Sequence, residues 1–159
     1  METPSIITRL WDYGWLCRDE VKLAGASSDV ALIEQYVASS AFHTSFLPSD
    51  KEETGIHGPF VATHISATDF LPLREDELSK YLESVQLSDM PGEDIEERAK
   101  ILHYLQLPFN DGCRGYVLRL NETDRERFHE WGFVLFVFRE FLFVGPKRDG
   151  VERFIVGYD

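Results

Sequence analysis

The sequence predicts an α+β fold: a mainly antiparallel sheet, dominated by C-terminal strands, with three to five helices packed on it in a single domain spanning residues 1–159. Two observations predict it. In the last quarter, runs 133–138, 141–144 and 151–156 are rich in aromatic and β-branched residues and are punctuated by Gly, Pro and Asp. Such runs read as strands. Further upstream, apolar residues recur at helical spacing, most clearly at Leu78, Tyr81, Leu82 and Val85.

Taken in order, residues 4–16 read either as a helix, with Thr3 as cap and Pro4 at its first position, or as extended chain favoured by β-branched residues and Gly14. The helix is preferred. Trp11, Tyr13 and Trp15 are assigned to packing. Ser27-Ser28-Asp29 then caps a helix whose inward stripe is Val30, Ile33 and Val37. Residues 48–58 are polar and broken by Gly and Pro, which predicts an exposed loop, and 60–65 reads as a strand.

Residues 74–85 form an amphipathic helix with Glu75-Asp76-Glu77 in its first turn, where carboxylates suit the positive end of the helix dipole. Met90-Pro91-Gly92 breaks the chain. A second helix, 93–105, directs Ile95, Ala99, Leu102 and Leu105 inward and ends before Pro108. Asn110 to Gly115 is a turn, 116–120 a strand and 121–131 a charged helix. The closing strands follow, with Pro146 and Asp149-Gly150 supplying hairpin chemistry because Pro fixes φ and Gly tolerates positive φ.

A chain of this length and 43% hydrophobic content buries a core without disulfide staples. No run approaches the roughly 18 apolar residues of a membrane helix. Met1-Glu2-Thr3-Pro4 lacks the features of a signal peptide. Cys17 and Cys113 are too few and too far apart for a disulfide framework, so the expectation is a cytoplasmic protein with free thiols.

Charge is more informative. The net charge is −12, and residues 69–97 hold ten acids against Arg74 and Lys80, a local balance of −8. Nucleic acid and anionic membrane surfaces are thereby disfavoured as partners, since both require a cationic footprint. The acids Glu75, Asp76, Glu77, Glu83, Asp89, Glu93, Asp94, Glu96 and Glu97 form a candidate docking surface for a basic protein. Helix-end solvation explains the same residues without a partner.

Candidate chemistry elsewhere is sparse. His57 and His64 lack the convergent spacing of a zinc site, so no metal is assigned, and no cofactor motif is present. Cys113 beside Arg114 has the neighbour that lowers a thiol pKa but no evident base. Asn121-Glu122-Thr123 fits a glycosylation sequon, for which helix capping by Asn121 is the preferred account.

The leading expectation is therefore a small acidic binding protein that inhibits or sequesters a basic partner, most concretely an immunity protein against a toxic nuclease or similar effector. Two alternatives stand beside it. One is a small enzyme using His57 or His64 with a carboxylate. The other is a subunit, homo-oligomeric or otherwise, that associates through an apolar edge at Phe141 to Val144.

Overall fold

The computed structural model describes residues 6–9, 14–43, 56–57, 59–85, 94–119 and 137–158. Its strands are β1 (Ile6–Arg9), β2 (Gly14–Lys22), β3 (Ile56–His57), β4 (Phe60–Val61), β5 (Phe70–Leu73), β6 (Arg114–Leu118), β7 (Val137–Val144) and β8 (Gly150–Tyr158). The α-helices are α1 (Asp29–Ala38), α2 (Glu75–Ser84) and α3 (Asp94–Asn110). Six strands pair antiparallel in the order β1-β2-β8-β7-β6-β5, and β3 with β4 makes a separate two-stranded ribbon. The fold is α+β, as the sequence predicts.

Both faces of the sheet are covered, which explains why the C-terminal strands read as continuous apolar runs rather than alternating ones. Phe141 and Phe143 of β7, with Phe154 and Val156 of β8, pack against Leu78 and Leu82 of α2 and Ile101 and Leu105 of α3. On the other face, Leu142, Val144 and Val151 pack with Leu32, Ile33 and Tyr36 of α1 and with Phe42 and Phe60. Each such side chain contributes about 1.5–3 kcal/mol when fully buried.

Local sequence explains several boundaries. Ser28 caps α1, its hydroxyl accepting the Ala31 N–H at 3.2 Å. Glu77 folds back onto the Arg74 N–H at 3.1 Å and starts α2. α3 runs through Pro108 and ends beyond it. Pro108 lies in the final turn, where Gly112 at φ +83° reverses the chain and the Cys113 N–H returns to the Pro108 carbonyl at 3.0 Å.

The structure corrects other expectations. Residues 6–9 are strand, not helix: Ile6, Ile7 and Thr8 are β-branched, and they pair with Arg18, Cys17 and Leu16 of β2. The stripe of α1 is rotated, with Leu32, Ile33 and Tyr36 buried and Val30 57% exposed. On α3, Ala99 faces solvent, whereas Glu97, Ile101, Leu105 and Pro108 are buried. Only Phe60–Val61 of 60–65 is strand, followed by a 3₁₀ turn over Ala62–His64.

β6 begins at Arg114, two residues earlier than predicted. In the β7–β8 hairpin the left-handed residue is Arg148, at φ +49°, rather than Gly150. β7 lies inside the sheet between β6 and β8, so Phe141 to Val144 is no exposed edge. Among the described residues the edge strands are β1 and β5, and β5 carries Pro72, a residue that blunts an edge. The predicted helix 121–131 lies outside the described residues.

Candidate functional site

The acidic surface predicted from sequence is only partly a surface. Glu75, Asp76, Glu77 and Glu83 of α2 and Glu96 of α3 are exposed. The two helices share one layer, tied by Arg98, whose Nε donates to the Leu82 carbonyl at 3.0 Å. Asp76 and Glu77 meet Arg74 at 3.2 and 3.3 Å, an exposed cluster worth little in stability. Asp89, Glu93 and the side chain of Asp94 lie outside the described residues.

Glu97 does not belong to that surface. It is 6% exposed, its Oε1 lies 3.3 Å from Lys100 Nζ, and its Oε2 has no hydrogen-bond partner. Helical periodicity forces this, since Glu97 shares the inward face with Ile101 and Leu105.

The densest polar chemistry lies on the opposite face of the sheet. Asp19 of β2, Tyr36 of α1, His57 of β3, Glu140 of β7 and Arg153 of β8 converge, each no more than 9% exposed. Strand register brings three of them together: Arg153 faces Asp19 across β2–β8, and Glu140 opposes the neighbouring Ile155. Arg153 grips Asp19 through two bonds, Nε to Oδ1 at 2.8 Å and Nη2 to Oδ2 at 2.5 Å. Its Nη1 donates to the Ala41 carbonyl at 2.7 Å and to Tyr36 Oη at 3.2 Å. Tyr36 Oη in turn donates to Glu140 Oε2 at 2.5 Å.

His57 completes the set, stacked on Phe42 with ring centres 3.8 Å apart. Its Nε2 meets Glu140 Oε1 at 2.8 Å and its Nδ1 meets the Phe42 carbonyl at 2.5 Å. Both ring nitrogens thus face oxygen acceptors. The two bonds form together only when the His57–Glu140 pair holds two mobile protons, either both on the ring or one on Nδ1 and one on the carboxyl. The pair is then neutral, as is Asp19 with Arg153.

Burial, with the Glu140 carboxylate, pushes the Tyr36 phenol well above its ordinary pKa, so it remains a neutral donor. Burial alone would lower the Arg153 pKa. The bonds to Asp19 and the charges of Asp19 and Glu140 outweigh that and hold the guanidinium charged. The network joins the sheet to α1 and to the β3–β4 ribbon. His57 was expected in an exposed loop, but it is fully buried. The pair, with neither side chain exposed, ties the β3–β4 ribbon to the sheet. His64, by contrast, is exposed in its 3₁₀ turn.

A second cluster centres on Asp29 in the first turn of α1. Its carboxylate accepts Arg114 Nε at 2.6 Å and Nη2 at 2.8 Å, Tyr116 Oη at 2.6 Å and Arg148 Nε at 2.7 Å. The Arg114 bonds, opposed by burial and helped by Arg148 and Tyr116, hold the Asp29 carboxyl well below the usual carboxylate range. Burial and the bond to Asp29 push Tyr116 up to about 12. Arg148, gripped by Asp29, is also the left-handed residue at the hairpin tip.

Cys17 and Cys113 are both free thiols, Cys17 buried and Cys113 half-buried. Cys113 lines a cleft of about 470 Å3 with Glu20, Lys22, Asp149 and Glu152. Burial raises its pKa, Glu152 and Asp111 add to the rise, and Arg114 only partly opposes it. Arg114, its neighbour in sequence, is engaged by Asp29. Among the described residues, no three His, Cys, Asp or Glu side chains converge in a way that could hold a metal ion.

Asp19, Tyr36, Glu140 and Arg153 were not singled out from sequence, although a signal existed for two of them. Glu140 shares its phase with Phe138, Leu142 and Val144, and Arg153 with Val151 and Ile155. A charge at the inward phase of a strand implies a buried partner. No protein-family model, curated protein or solved structure matches the chain.

Proposed function

We propose that this protein binds and inhibits a basic protein partner, in the manner of an immunity protein that neutralises a toxic nuclease or comparable effector. The observation that carries the reading is the outward display of Glu75, Asp76, Glu77 and Glu83 on α2 beside Glu96 on α3. These acids stand on two helices fixed over the sheet by Leu78, Leu82, Ile101 and Leu105, so a partner meets them on a rigid scaffold. Such a field steers Lys- and Arg-rich surfaces into contact and competes with phosphate for them. Glu97 plays no part in the contact, being buried.

The test is affinity capture from native lysate at low and high salt, with wild type beside a Glu75→Lys, Glu77→Lys, Glu83→Lys, Glu96→Lys variant. A basic protein that wild type retains, that salt releases, that the variant fails to hold and whose toxic activity the wild type suppresses supports the reading. A partner held equally by the variant removes the acidic helices from the interface and refutes it.

A further inference from the structure

No further inference is drawn: the strongest candidate, the cleft that Cys113 lines with Glu20 of β2 and Glu152 of β8, is a lone thiol beside an acidic cluster, and among the described residues no buried, unpartnered side chain points into it.

Discussion

Replacing Arg153 with methionine tests the buried network at its centre. Methionine is unbranched and apolar, so Arg153→Met removes the charge and the donors while filling much of the space. It takes both bonds from Asp19, which is 9% exposed, and the donors now on the Ala41 carbonyl and Tyr36 Oη. Removing one partner of a buried ion pair costs about 3–5 kcal/mol, because the other charge stays desolvated. Against a total stability of about 5–15 kcal/mol this is a large share. For a chain of this size it corresponds to a fall in Tm of roughly 10 °C. Urea denaturation followed by far-UV circular dichroism would measure it. The double variant Asp19→Leu, Arg153→Met removes both charges and should be more stable than Arg153→Met alone, by about 2 kcal/mol. A loss below about 1 kcal/mol in Arg153→Met, or a double variant no better than the single one, would refute the account of Arg153 as the partner Asp19 requires.

Further predictions concern single sites. Asp29→Asn should cost about 2 kcal/mol at neutral pH, since four donors converge on that carboxylate. The folded pKa of Asp29 lies below its unfolded value of about 3.9, so its stabilisation is fully present above that pH and fades as pH falls toward the folded value. The gap between wild type and Asp29→Asn in urea denaturation should therefore shrink at about pH 3 relative to neutral pH, and an equal gap would contradict the assignment. Glu97→Gln should leave stability unchanged or raise it by up to about 1 kcal/mol, as it removes a buried charge with an unpartnered oxygen. Gly157→Ala should lower Tm clearly, because a Cβ there would collide with the Trp15 ring paired opposite it; a Tm within experimental error of wild type would show that the ring moves aside at little cost.

The sheet and α2 were legible because their patterns are local. Leu78, Tyr81, Leu82 and Val85 recur at helical spacing, and the strands carry their own turn residues. What escaped was set by partners distant in sequence. Arg18-Asp19-Glu20 reads as polar chain, yet it lies inside β2 because Arg18 pairs with Glu152 and Asp19 with Arg153 on β8. Arg139-Glu140 reads as a break between two apolar runs. β7 passes straight through it, since Glu140 is satisfied by Tyr36 and His57. The phase of α3 was misjudged for a related reason: a buried Glu97 and an exposed Ala99 invert what composition implies. The candidate docking acids were legible as charges, but separating Glu75 from the buried Glu97 needed the correct phase of α3, in which 97, 101 and 105 share a face.

The pairing of β2 with β8 constrains how the chain acquires its structure. Asp19 pairs with Arg153, 134 residues later in the chain. During synthesis β2 emerges long before β8 exists, with Leu16 and Cys17 uncovered on opposite faces. Closure over such a sequence separation is slow, and unpaired strand edges associate with other chains in the interval. A nascent chain stalled before β8 should therefore be protease-sensitive and chaperone-bound, and it should become resistant once β8 is made. The pairing of β2 with β8 is in this sense a later event than the local pairing of β7 with β8.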